Sequence, residues 1–410
     1  MSADGRGRTR TSEALRTAGD RTVVIFGAGA TGRGHVGQLA YASGYRLAFV
    51  ERDESLVREL RASGRYQVRL VGDSTQDVLV EGFAAYSPSD EAVSEEIAAC
   101  DLVLTAVLPE NLPSVAPALG RGIVRRAELE VERPLNVVAC ENMIGGSTAL
   151  HQHVLHALAP AYRGYLESHI GFPDAMVARV VPTPGSGRML LLAEGYNEWS
   201  VDRHAFLGKG PAVEGLELVD NLEARLERKL FMHNTGHAVC GYLAHLKGYQ
   251  NMCDAIGDPA IEPVVRGAMV ESGEALICRH GFDRAGIERY REGFFPRVAS
   301  PLILDPVSRV VRSPRRKLGR DERLVGPACF CLDYGIQPMH LALGIAALLR
   351  YRSPADPESL ELQRLLAERG PGGVLADVAG LDLARYSRLV ALVREGLAAL
   401  ASSSRDDAVV

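Results

Sequence analysis

The segment RTVVIFGAGATGRGHVGQLAYASGYRLAFVER constrains this chain more than any other. An apolar β-type run, Val23 to Phe26, enters a glycine turn. A helical pattern follows, and a second β run, Leu47 to Val50, ends at Glu51. That is one β-α-β unit. Gly27, Gly29 and Gly32 stand in G-x-G-x-x-G spacing. The first permits a tight turn, the second lets a pyrophosphate approach the backbone, and the third allows close packing of helix on strand. The phosphates would rest on the N-terminus of the following helix, where unpaired amides and the helix dipole favour anions. Glycine turns are common, so the flanking strand, helix and acid carry the reading. Glu51 lies 19 residues beyond Gly32. A carboxylate there accepts hydrogen bonds from ribose hydroxyls and repels a 2′-phosphate, which favours NAD over NADP. Arg52 pulls the other way, because a guanidinium can hold that phosphate.

Further β-type runs are YQVRLVG (66–72), LVLTAV (102–107) and LNVVAC (135–140), with helical patterns between several of them. Such alternation predicts a mostly parallel sheet with helices on both faces. YQVRLVGDSTQDVLVEGF reads as an added hairpin. Beyond about residue 200, long amphipathic patterns replace alternation, and this half reads as mainly α-helical. The Pro- and Gly-rich stretch around PTPGSGRMLLLAEGYNEWSVD reads as the link. The expected organisation is a disordered extension over 1–20, an NAD-binding α/β domain over 21–200, a helical substrate and catalytic domain over 201–402 and a frayed tail over 403–410. With 47% hydrophobic and 24% charged residues, 410 residues suffice for two cored domains. A net charge of -5 gives no reason to expect nucleic acid or a membrane surface as partner. Seven cysteines without paired spacing suit a reducing, cytoplasmic setting, and C-x-C at Cys329 and Cys331 lacks the second pair a zinc site needs.

KLFMHNTGH, Lys229 to His237, raises the chemical question. On a regular helix, with Lys229 at zero, Asn234 falls at roughly 140° and His237 at roughly 80°, within one wedge. A solvated lysine beside two polar residues would look the same. Leu230, Phe231 and Met232 point instead to a largely buried helix, where desolvation lowers a lysine's pKa and makes it a usable base.

In this order, FGAGATGRG, YQVRLVG, LTAV, LNVVACENM, HIGFPDAMVARVVP, ERKLFMHNTGHA, RGAMVESG, PRRKLGRDERL and GIAALLRYRS resemble the polyol-specific long-chain dehydrogenases, over about residues 22–400. The resemblance implies a Rossmann-type N-terminal domain, a helical C-terminal domain and metal-independent, NAD-dependent chemistry on a small polyol or sugar phosphate. D-mannitol 1-phosphate and D-fructose 6-phosphate are the favoured pair. It places cofactor contacts at Phe26, Gly27, Ala28, Gly29, Ala30, Thr31, Gly32, Glu51, Thr105, Ala106 and Val107. Lys229 would be the general base, Asn234 and Asn142 would donate to the reacting oxygen, and His237 would bind a substrate hydroxyl. Arg309 and Lys317, eight residues apart within RVVRSPRRKLGRDER, would contact the distal hydroxyls. That stretch reads equally as a solvated basic face.

Two positions depart from the family pattern. The usual V-D-R has Ala178 in place of the aspartate, which removes an acid from beside substrate and lysine unless another substitutes. His233 stands where relatives carry leucine; it is either a new pocket group or a histidine satisfied elsewhere. The first departure keeps open another polyol, a cyclitol phosphate or a uronate. A non-catalytic NAD-binding regulatory protein is a further alternative, opposed by the intact Lys229, Asn234, His237 and Asn142. A monomer or small homo-oligomer is expected.

Overall fold

The computed structural model describes residues 21–406, apart from residue 73 and residues 184–186. The expected extension over 1–20 lies outside the described residues, as do 407–410. The backbone of the last helix, Ser387–Asp406, runs through the beginning of the expected tail. The chain divides into two compact units, Met1–Leu222 and Glu223–Val410.

The first unit is built on a six-stranded parallel sheet. Its spatial order is Ala84–Tyr86, Arg46–Val50, Thr22–Phe26, Leu102–Thr105, Leu135–Ala139, Ile170–Gly171. Strand order reverses between Thr22–Phe26 and Leu102–Thr105, and the crevice outside the carboxyl ends there is where open α/β sheets bind ligands. Side-chain alternation divides the strands between two cores. Val23, Ile25, Leu47, Phe49, Leu102 and Leu104 pack on one face, and Val24, Phe26, Ala48, Val50 and Val103 on the other. Both faces are covered, which explains why these strands read as unbroken apolar runs.

The expected hairpin is present, Arg65–Val71 against Thr75–Glu81, and Leu190–Glu194 joins it in parallel. Glu198–Asp202 pairs with Ala175–Ala178 and with Leu216–Val219. The stretch read as a link therefore carries two strands, and the first unit closes at Leu222 rather than near residue 200. Its Pro and Gly residues masked short strands whose partners are distant in sequence.

The second unit is helical. Asn234–Leu246, Glu262–His280, Val325–Asp333, Met339–Arg350, Pro357–Ala379 and Ser387–Asp406 enclose a single apolar core. Asn234–Leu246 is central: Ala238, Val239, Cys240, Tyr242 and Ala244 are all within 2% of full burial. A Cβ on Gly344 would lie 2.7 Å from Val239, so this glycine sets how closely Met339–Arg350 approaches. Among the described residues no helix is long and apolar enough to cross a membrane.

Candidate active site

The glycine turn sits at the end of the central strand. Gly27 has φ 93°, open to glycine at little cost. A Cβ there would lie 2.4 Å from the Ala106 carbonyl oxygen, and one on Gly32 would lie 1.9 Å from the Gly27 carbonyl oxygen. A Cβ on Gly29 would meet nothing within 4 Å. Gly29, Ala30 and Thr31 are half-buried, whereas Phe26, Gly27, Ala28 and Gly32 are buried. Two glycines are thus needed for packing and the middle one faces free space, the arrangement a dinucleotide pyrophosphate requires. The helix that follows opens with a π-turn, Gly32–Gly37.

Glu51 accepts from the Ala28 amide at 2.7 Å and the Asp53 amide at 2.9 Å, so its carboxylate is held beside the turn. Each of its oxygens keeps acceptor capacity for a ribose hydroxyl. Arg52 donates to Asn111 Oδ1 at 2.9 Å. A second cation, Arg188, is paired with Asp53 at 2.6 Å and Glu59 at 3.1 Å. The cations near the ribose position are therefore engaged, while the acid is positioned. Thr105, Ala106 and Val107 lie at the end of the neighbouring strand, with the Ala106 amide donating to the Phe26 carbonyl at 2.8 Å. The Thr105 hydroxyl is wholly buried and donates to Glu141. Asn142, exposed, follows the strand Leu135–Ala139.

In the second unit, Lys229–His233 is a π-turn and Asn234–Leu246 continues as α-helix. The Asn234 amide donates to the Lys229 carbonyl, five residues back. The wider turn brings Asn234 closer to the direction of Lys229 than the 3.6-residue count allows. Thr235 Oγ1 donates to the Leu230 carbonyl at 3.3 Å and to the Arg323 carbonyl, so the wide turn has a side-chain support. Lys229, His233, Asn234 and His237 are half-buried, between buried Phe231, Met232, Thr235, Gly236 and Ala238. The four polar residues thus form one face.

The two imidazoles lie 5.3 Å apart between centroids, and Phe294 meets both edge-on. Gly236 admits that ring: a Cβ would lie 2.9 Å from it. Burial holds His233 well below the usual imidazole range, reinforced by Arg297. Burial lowers His237 to about 4, against the pull of Asp305. Both rings are therefore neutral at pH 7, able to donate and accept once each. His237 Nε2 lies 3.4 Å from Asp305 Oδ2.

Arg309 grips the same Asp305 with two bonds, 2.7 and 2.6 Å. Lys317 is buried, and its ammonium donates to the Val310 and Arg312 carbonyls. Burial, then Arg323 and Arg316, lower it to about 7. Arg316 and Arg323 both pair with Glu322. The structure links Arg309 to His237 through Asp305, and much of the basic stretch is met by acids or carbonyls. Sequence reasoning missed Asp305, whose one signal was an acid four residues before Arg309.

Ala178 ends its strand opposite Glu198 in antiparallel register. Directly opposed residues share a face with Cβ atoms about 4.5–5.5 Å apart. Glu198 accepts from the Tyr196 hydroxyl at 2.9 Å. An acid thus stands on the strand beside the position that lacks one. Among the described residues no group of three or more His, Cys, Asp or Glu is arranged to hold a metal ion.

Residues 21–215 match the family model described as mannitol dehydrogenase Rossmann domain, and residues 221–401 the one described as mannitol dehydrogenase C-terminal domain. Among solved structures the chain is similar to a D-sorbitol dehydrogenase in substrate-free form, at 19% identity and TM-score 0.76, covering 94% of this chain and 96% of that one. It is also similar to the Pseudomonas fluorescens mannitol 2-dehydrogenase in a ternary complex with NAD and D-mannitol, at 17% identity and TM-score 0.68, covering 95% and 94%. At these identities the likeness is one of fold.

Proposed function

The chain belongs to the mannitol dehydrogenase family, and we propose that this NAD-dependent oxidoreductase interconverts a sugar-alcohol phosphate and a keto-sugar phosphate, D-mannitol 1-phosphate and D-fructose 6-phosphate in first place. The observation that carries the chemistry is the single half-buried face of Lys229, Asn234 and His237 on an otherwise buried helix. When bound, the nicotinamide supplies the hydride acceptor. Gly29, Glu51 and the Thr105–Val107 loop would hold the dinucleotide. Lys229 takes the hydroxyl proton as the alcohol carbon is oxidised, and returns it in ketone reduction. Asn234 donates an amide N–H to the reacting oxygen and stabilises developing alkoxide charge, with Asn142 in the same role. His237, neutral, reads a neighbouring hydroxyl, and His233 on the same face is a further contact.

The phosphate is the least supported element. Arg309 and Lys317 are the proposed distal anchors, yet one is gripped by Asp305 and the other by carbonyls. A free polyol, which tolerates Asp305 as an acceptor, is the second reading that this ion pair favours. Paired kcat/KM measurements on phosphorylated and free polyols, with NAD and NADP, decide between them. Turnover of the phosphate ester supports the first reading; turnover of free polyols alone supports the second. Absence of turnover on every polyol and ketose sinks both.

A further inference from the structure

Glu141 is a buried carboxylate that the chemistry above does not use. It is 5% exposed, and burial raises its pKa against the hydrogen bonds it accepts. An acid kept in such a place without an adjacent cation is costly unless its oxygens are well satisfied. Both are: Oε2 accepts from the Thr105 hydroxyl and Oε1 from the Val107 amide, each at 2.8 Å. The opposite side of the same residue is also held, because Asn111 Nδ2 donates to the Val107 carbonyl at 2.7 Å. Directly after this clamp the backbone leaves ordinary geometry: Leu108 has φ 78° and ψ 147° with its side chain 60% exposed. A non-glycine residue in that region is strained and persists only where surrounding bonds over-determine it.

The loop so fixed forms one wall of the glycine turn. Its Ala106 carbonyl is what a Cβ on Gly27 would strike, and its Ala106 methyl lies 3.7 Å from where a Cβ on Gly32 would be. It also stands at the point where strand order reverses. We propose that Glu141 is a positioning residue for the dinucleotide: spanning Thr105 and Val107, its carboxylate holds the Thr105–Leu108 loop preformed against the glycine turn. Binding then proceeds without ordering that loop, which is the general gain from preorganisation.

The test is equilibrium binding of NADH to the full chain, followed by nicotinamide fluorescence, together with hydrogen exchange at the Val107 amide without ligand. Glu141→Met keeps the length and offers no acceptor, so the Thr105 hydroxyl and the Val107 amide both lose their partner. We expect Val107 to lose protection and the NADH Kd to rise about 10-fold or more, the scale of a lost hydrogen bond to a charged group. A folded Glu141→Met protein with wild-type Kd overturns the proposal, whether or not Val107 protection changes. If that variant does not fold, Glu141→Asp, which keeps the charge on a shorter arm, is measured instead, with a raised Kd expected. A wild-type Kd in the aspartate variant, or failure of both variants to fold, assigns Glu141 to the core alone and overturns it equally.

Discussion

Among the described residues two π-turns stand out, and they are used in opposite ways. Gly32–Gly37 is buried at every position, while in Lys229–His233 only Phe231 and Met232 are buried. In the first turn the residues that matter have no side chain. Gly34 and Gly37, like Gly32, leave no room for a Cβ: one on Gly34 would lie 2.7 Å from the Val181 side chain, and one on Gly37 2.4 Å from the Gly32 carbonyl oxygen. In the second, the extra residue per turn re-aims side chains and gathers Lys229 and Asn234 on the face that also carries His233 and His237. One backbone irregularity thus serves close packing in one unit and gathers polar side chains on one face in the other. Such bulges concentrate at functional sites because a regular ladder offers neither result.

The sharpest break of this comparison is at the second turn. Lys229→Ala is expected to lower kcat by about 10²-fold or more, within the range for general acid–base groups, and to leave NADH affinity nearly intact. Near wild-type turnover would remove the lysine from the chemistry.

The glycine motif that leads into the first turn holds two kinds of glycine. Gly32→Ala has no space beside the Gly27 carbonyl and is expected to cost about 1–3 kcal/mol of stability in denaturant melts, the scale of overpacking. Gly29→Ala enters free space, so the melt should stay within about 0.5 kcal/mol of wild type, while NADH Kd rises roughly tenfold as the methyl meets the pyrophosphate. Equal behaviour of the two variants would contradict the division drawn here.

A third test concerns the acid paired with Ala178. If Glu198 stands in for the absent aspartate, Glu198→Gln should lower kcat/KM by about 10-fold, and Ala178→Asp in that background should recover part of it. An unaffected Glu198→Gln enzyme would leave Ala178 uncompensated.

The smallest effect is on stability. His237 resists protonation until about pH 4, while the unfolded chain takes that proton near 6.5. The fold binds fewer protons in this interval, so stability is complete above 6.5 and is lost as pH falls toward 4, by on the order of 1–3 kcal/mol. His237→Asn should flatten this part of a stability–pH curve; an unchanged slope would place the titration elsewhere.

Much of this was legible without coordinates. The β runs at 23–26, 47–50, 102–107 and 135–140 announced a covered parallel sheet, because strands buried on both faces must be apolar throughout. The glycine spacing, the acid at Glu51 and the run Lys229, Asn234, His237 are local patterns, fixed by residue type and short separation. The short strands Leu190–Glu194 and Glu198–Asp202 were missed because their stability comes from partners remote in sequence.

By itself the sequence determined which groups the two turns carry. Only the tertiary structure decided how they are aimed. A helical wheel sets Asn234 roughly 140° from Lys229; the π-turn, supported by Thr235, changes that bearing, and no propensity in KLFMH encodes it. Asp305, Glu141 and Glu198 are placed in the same way, through contact with Arg309 and His237, with Thr105 and Val107, and through register with Ala178. Hydrogen bonds between residues far apart in the chain leave no periodic trace, because each needs only one acid at one place, and that place is set by packing.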